Sequence, residues 1–337
     1  MRHLFFIHSN ITALVSKLVI QHLSLDYNDV IISCPSSFKK SFSEFKEVHN
    51  VRYEIALKED KKLSYYNPTK YKRIDEYINS LVKDNKYALY LPHIVAKDYH
   101  IIASHPNCMK INFIEEGLSS YVFQTRFKGE LFYEKSILKQ FSLLIKNTLY
   151  MNDRMRFFTP KHFFDTAYFK RQKIEFFGLH HKSFNFIKNE KITILPNFIS
   201  STFKEKSNKN YFLLDALTEN NLLTTTTLIA ALTSIIDKIS SKEIYIKFHP
   251  LQSNEIKEQI LIIIKHHNKN AIVLPDDLVL EEELKNTKDL LIIHGFVSSL
   301  LLYAKIFGHE VHSYVDLLKE DNLFTNHFNR LNIKQFI

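Results

Sequence analysis

An α/β chain with two doubly wound halves, each a parallel sheet covered by helices, is what the order of patterns along this sequence predicts. Strand-like and helical runs alternate from the first residues, break at a polar, lysine-rich segment near residue 200, and then restart. Glycine and proline number only 5 and 8 in 337 residues, which disfavours a turn-rich sandwich or barrel. The length exceeds one ordinary core and gives two domains of about 100–200 residues each.

Residues 4–8 are apolar up to His8 and read as a strand. Residues 11–22 carry apolar side chains at helical spacing, with Ser9 or Asn10 placed to cap them. Strands at 29–33 and 51–57, a helix around 71–82, and strands at 87–91 and 110–114 follow. Strand, helix and strand in succession imply a parallel sheet covered on both faces. Further strands near 174–177 and 192–195 complete a first domain, residues 1–200. Residues 201–210 show neither period and are the expected linker to a second domain, residues 211–337. There the pattern restarts with a strand at 211–215, a long apolar helix at 222–239, a strand at 243–248 and a helix at 254–266. A strand at 271–274, a short helix at 280–284, a strand at 290–293 and a helix at 297–306 complete it. No period of about 20–50 residues recurs, so a solenoid is not expected.

Composition removes several function classes. No G-x-G-x-x-G and no Walker-type lysine loop is present, so a bound nucleotide phosphate must be held by other means. The two cysteines, Cys34 and Cys108, suggest neither a disulfide scaffold nor a zinc site and fit a reduced, cytoplasmic compartment. The apolar run at the N-terminus is too short for a signal peptide, and no run approaches the roughly 20 apolar residues of a membrane span. A soluble or peripheral protein is expected. The net charge of +9 is concentrated: residues 121–173 hold eleven Lys/Arg against four acids, interleaved with Phe, Tyr and Leu. Such a stretch suits an anionic membrane face, an anionic glycolipid or nucleic acid, and equally an ordinary solvated helical face.

Three polar clusters stand at the C-terminal ends of predicted strands, where open α/β sheets bind ligands. Glu115-Glu116-Gly117 follows the strand at 110–114. Adjacent carboxylates repel, which raises the pKa of one and leaves a group able to take a proton from a sugar hydroxyl, and Gly117 permits a tight turn. His249-Pro250 ends the strand at 243–248. Proline biases His249 to an extended conformation, an imidazolium there can donate to a leaving phosphate, and Lys247 on the same face adds positive charge. Ser298-Ser299 opens a helical pattern and offers hydroxyls and free backbone N–H groups together, a means of binding phosphate without glycines. Each cluster alone also has a plain structural reading: a helix start, a capped strand end, an N-cap. Their joint order carries the functional one.

In order and context these clusters resemble the motifs of bacterial sialyltransferases: an acidic pair followed by Gly, then His-Pro, then Ser-Ser. The resemblance implies the GT-B fold, two Rossmann-like domains facing a central cleft. It looks closest to glycosyltransferase family 52, which sialylates lipooligosaccharide, or to the related capsular sialyl- and polysialyltransferases. It implies an inverting transfer of sialic acid from CMP-sialic acid to a glycan or glycolipid acceptor. The base is then Glu115 or Glu116, with Glu115 favoured. His249 assists departure of the nucleotide, aided by Lys247 and Pro250, and Ser298 with Ser299 binds the donor phosphate. Glu281 becomes a candidate for the cytidine ribose, while Ser9 and Asn10 can contact donor or acceptor.

No metal is expected to be required. His180-His181 and His266-His267 are adjacent pairs whose side chains diverge, His309 and His312 lack i, i+4 spacing, and no D-x-D run is present. A GT-B transferase using CMP-Kdo or a UDP-sugar, a non-catalytic nucleotide- or glycan-binding module, and more weakly a nucleic-acid-binding protein remain as alternatives.

Overall fold

The computed structural model describes residues 1–50, 68–94, 99, 102–121, 138, 141, 145, 174–187, 191–195 and 205–328. The chain divides into two compact units, Met1–Pro196 and Asn197–Ile337.

The first unit is built on a seven-stranded sheet of β1 (Arg2–Phe6), β2 (Val30–Cys34), β3 (Glu47–Asn50), β4 (Tyr87–Leu91), β5 (Cys108–Ile114), β6 (Ile174–Gly178) and β7 (Ile192–Ile194). Its order is β3-β2-β1-β4-β5-β6-β7, and every pairing is parallel. β2 and β4 are buried at all five positions. Strands covered on both faces lack the polar alternation of a half-exposed strand, which is why these read in sequence as continuous apolar runs. Helix α1 (Asn10–His22) joins β1 to β2, and α2 (Pro68–Val82) precedes β4. Leu4, Phe6, Leu89, Phe113 and Phe176 from four neighbouring strands pack with Ile74 and Ile78 of α2 into one core.

The second unit repeats the plan with five strands: β8 (Glu205–Leu213), β9 (Glu243–Lys247), β10 (Asn270–Val273), β11 (Asp289–Gly295) and β12 (Glu310–Ser313). The order is β10-β9-β8-β11-β12, all parallel. Helices α3 (Thr225–Lys238), α4 (Asn254–His266), α5 (Leu280–Asn286) and α6 (Ser299–Ile306) alternate with the strands, and α7 (Asn322–Phe328) follows β12. In both sheets the first strand of the unit lies inside the sheet, the next two build outward on one side, and the chain then crosses to the other. The expected doubly wound α/β halves are therefore present.

Several details differ from the sequence reading. Residues 205–210, expected as linker, form the first part of β8 and pair with Asp289 and Leu290 before a bulge. The run Glu-Lys-Ser-Asn-Lys-Asn is polar throughout, so it lacks the apolar alternation that marks a strand. β12 also went unread, because its four residues are flanked by polar neighbours and none is fully buried. The strand expected at 51–57 and nearly all of the basic stretch 121–173 lie outside the described residues. No helix among the described residues is long and apolar enough to cross a membrane.

Candidate active site

In the first unit the direction of the chain reverses between β1 and β4, the point at which open α/β sheets leave a crevice. Parallel strands deliver their C-terminal ends to one edge, so the residues after β1, β4 and β5 meet there. They are His8, His93 and Glu116. The Glu116 Oε2 atom lies 3.4 Å from His8 Nε2 and 3.7 Å from His93 Nε2, and the two imidazoles stand edge to face at 6.1 Å. Glu116 Oε1 accepts from Ser119 Oγ at 2.7 Å, and the Glu116 N–H donates to Ser120 Oγ at 2.9 Å. Gly117 makes this folding-back possible. Its φ of 111° lies where side chains are strained, and it turns the chain into the single 3-10 turn Leu118–Ser120 that carries both serines.

The Glu116 side chain is 13% exposed, and burial raises its pKa to about 7, with the Ser119 hydrogen bond opposing. Repulsion between the adjacent carboxylates was the cause expected; the cause found is desolvation. Glu115 has the opposite surroundings. It is 0% exposed, Tyr121 donates to Oε1 at 2.7 Å, and the Leu179 N–H just beyond β6 donates to Oε2 at 2.7 Å. Burial and the Glu115 carboxylate together hold the Tyr121 phenol well above its ordinary pKa. A Cβ at Gly178 would come within 2.0 Å of Ser183 Oγ and 3.3 Å of Glu115 Oε2, so a glycine there leaves room for the carboxylate. Glu115, the favoured base in the sequence reading, is thus an enclosed brace between β5 and β6.

Ser9 caps α1. Its Oγ accepts from Thr12 N, and Thr12 Oγ1 accepts from the N–H groups of His8 and Ser9 at 3.2 and 3.0 Å. Asn10 is the first residue of that helix. Both therefore fix the chain beside His8.

In the second unit the reversal falls between β8 and β11. His249 follows β9 by two residues. Its N–H donates to Gln252 Oε1 at 2.9 Å, and the Leu251 N–H donates to its Nδ1 at 3.1 Å. That bond puts the proton of the neutral ring on Nε2 and leaves Nε2–H as a donor. Burial lowers the His249 pKa, with nearby Glu219 opposing, a shift that favours neutral imidazole over the imidazolium expected. Lys247 also differs from expectation. Its ammonium donates to the carbonyl oxygens of Pro275 at 2.6 Å and Asp276 at 3.1 Å, holding the loop between β10 and α5. Pro250 is exposed at the turn, and Glu281 lies in the first turn of α5, close enough to Lys247 to act on its charge.

Ser298 is the N-cap of α6, its Oγ accepting from Leu300 N at 3.3 Å, and Ser299 is the first helical residue. The Ser298 hydroxyl also bonds to Asp215, two residues beyond β8, which additionally accepts from Val297 N at 3.3 Å. Burial raises the Asp215 pKa to about 6 against these bonds. Gly295 at the end of β11 lets the two strands close up here, since a Cβ would meet Leu213 O at 2.8 Å.

The family model for alpha-2,8-polysialyltransferase matches residues 5–315. The chain belongs to the alpha-2,8-polysialyltransferase family. Of the groups its motifs resemble, the one matched is therefore the polysialyltransferases rather than glycosyltransferase family 52. No curated protein matches the sequence. Among solved structures, a protein described as a UDP-N-acetylglucosamine 2-epimerase from Listeria monocytogenes aligns with a TM-score of 0.52 at 11% identity, over 99% of this chain and 88% of that one. A glycosyltransferase from Rickettsia africae gives 0.47 at 10% identity over 92% and 78%, and MurG from Acinetobacter baumannii 0.42 at 9% over 100% and 92%. At such identity the Listeria likeness speaks to the fold alone, a GT-B fold with two parallel-sheet halves. Membership of the polysialyltransferase family makes the chain a sialyltransferase-like glycosyltransferase.

Within this polysialyltransferase-family chain, sequence reasoning passed over His93, Asp215 and Glu219. All three stand just beyond the C-terminal end of a strand or in the loop that follows it, the same signal that selected His249. His93 and Asp215 were missed because neither belongs to a doubled motif. Glu219 holds the turn after His249 by accepting from Ser253 N at 2.9 Å, a contact that no spacing in the chain announces.

Proposed function

We propose that this protein transfers sialic acid, with inversion, from CMP-sialic acid to the C8 hydroxyl of a sialic acid already present on a bacterial surface glycan. The family supports the linkage, and the three motifs support the donor. The observation that carries the reading is Glu116, a mostly buried carboxylate with a pKa of about 7 at the sheet's reversal point. As the acceptor oxygen attacks the anomeric carbon, its proton passes to Glu116. The bond from that carbon to the phosphate oxygen breaks, and CMP leaves with the electron pair. One displacement inverts the anomeric centre.

His249 Nε2–H donates to the departing phosphate, and the Ser299 hydroxyl with the positive end of the α6 dipole holds it. Ser298, bound to Asp215, positions that helix end. Lys247 acts through the loop it holds, which sets Glu281 for the ribose hydroxyls. Phosphate departure is routed through these donors and calls for no metal. Leu138, Phe141 and Ile145 are 83%, 61% and 44% exposed at helical positions i, i+3 and i+7, among the lysines of the basic stretch. That combination supports residence on an anionic membrane surface, where a lipid-linked acceptor is found.

CMP or UDP release measured with CMP-sialic acid, CMP-Kdo and UDP-sugars, each with a sialylated acceptor, tests the reading. Turnover with CMP-sialic acid alone supports it, and turnover with another donor replaces it.

A further inference from the structure

A base that takes a proton at every addition must release it before the next. Glu116 Oε1 accepts a direct hydrogen bond from Ser119, whereas Oε2 faces two imidazoles at 3.4 and 3.7 Å, beyond ordinary hydrogen-bond length. Oε2 is therefore the oxygen left for the acceptor hydroxyl, and the imidazoles are the next stations for the proton. The two rings are not equivalent. His8 is the closer and the more exposed, its side chain 39% accessible, while His93 is 24% accessible and packs against Tyr99 at 5.2 Å. The His8 backbone is anchored by the α1 capping box, so the ring extends from a fixed point.

We propose that His8 is the proton outlet of Glu116, and that His93 is a positioning residue that keeps the carboxylate turned toward it. This rests on the reading of Glu116 as the base. Among the described residues, the groups facing Glu116 are His8 from the end of β1, His93 from beyond β4, and Ser119 and Ser120 from its own turn, with Glu115 bonded away from it. After transfer the proton moves from Glu116 to an imidazole nitrogen of His8, and from the other ring nitrogen to water. The carboxylate is thereby restored, with no oxidant or further reactant required. Burial raises the Glu116 carboxyl to about 7, into the range of an ordinary imidazole, so handing its proton on faces no large uphill step.

The test uses the full chain with CMP-sialic acid and a sialylated acceptor. His8→Ala should lower kcat at least tenfold with little change in the acceptor KM, and added imidazole should restore it in proportion to its free-base concentration. A loss that imidazole does not restore, or a near-normal kcat, overturns the outlet. A second measurement does not depend on turnover. NMR titration of the His8 ring should shift by roughly one pH unit between wild type and Glu116→Gln, because a neighbouring carboxylate favours the imidazolium. An unchanged His8 titration overturns the pairing. If the titration shifts but no CMP is released from CMP-sialic acid by wild type, the donor assignment fails while the His8–Glu116 pair stands.

Discussion

Glu115 and Glu116 are joined by one peptide bond and serve opposite ends. Glu115 turns into the sheet and accepts from Tyr121 and Leu179 at 2.7 Å each, while Glu116 turns to the strand-end edge, where His8 and His93 face it. Alternation along an extended strand end sends consecutive side chains to opposite sides, and the positive φ of Gly117 folds the chain back so that Ser119 bonds the Glu116 carboxylate and Ser120 its backbone N–H.

Glu115→Gln should therefore affect stability more than chemistry. An amide cannot accept at both of its terminal atoms, so one of the two buried donors loses its partner, at a cost of about 1–3 kcal/mol. Urea unfolding should show that loss, while CMP release per folded molecule stays within a few-fold of wild type.

Glu116 predicts a pH dependence. Its pKa of about 7 in the fold lies above the ordinary 4.5, so the protonated acid, which cannot act as base, dominates below about pH 7. The limiting slope of kcat/KM should be tenfold per pH unit there. Stability carries the same signature. Between pH 4.5 and 7 the folded protein binds more protons than the unfolded chain, so this group's contribution to stability falls as pH rises through that window. Glu116→Gln lacks this fall and should melt higher than wild type at pH 8, with little difference near pH 4.

His249→Ala should reduce kcat by about 100-fold, the scale for losing one donor to developing charge. The unfolding midpoint should change little, because the ring is only half-buried and Gln252 can still bond the backbone. Near-normal CMP release would remove His249 from phosphate departure.

Sedimentation with anionic liposomes tests the membrane reading. Replacing Lys135, Lys139 and Lys146 with Gln should weaken binding, each charge contributing about 1 kcal/mol near the surface. Leu138→Ser with Phe141→Ser should weaken it further, and high salt should suppress the charge-dependent part. Turnover on a short soluble acceptor should be preserved in both variants.

Much of this was legible in the chain. Continuous apolar runs such as 87–91 mark strands buried on both faces, and those strand ends located the acidic, His-Pro and Ser-Ser clusters. What the chain withheld was lateral order. His8 and His93 are far apart in sequence and meet Glu116 because β1, β4 and β5 are neighbours in the sheet, which periodicity does not reveal. Direction was withheld too. That Lys247 points to Pro275 and Asp276 depends on a loop following the neighbouring strand, and that Glu115 is enclosed depends on Gly178 and Tyr121. The polar first half of β8 is strand only because β11 lies beside it.

The central claim is sialyl transfer with Glu116 as the base. The most direct test incubates wild type, Glu116→Gln and Glu115→Gln with CMP-sialic acid and a sialylated oligosaccharide at pH 8, then analyses mass and linkage of the products. The account predicts α2,8-extended products from wild type and Glu115→Gln, and a loss of at least about 100-fold in Glu116→Gln. Extension by Glu116→Gln at a rate close to wild type would contradict it.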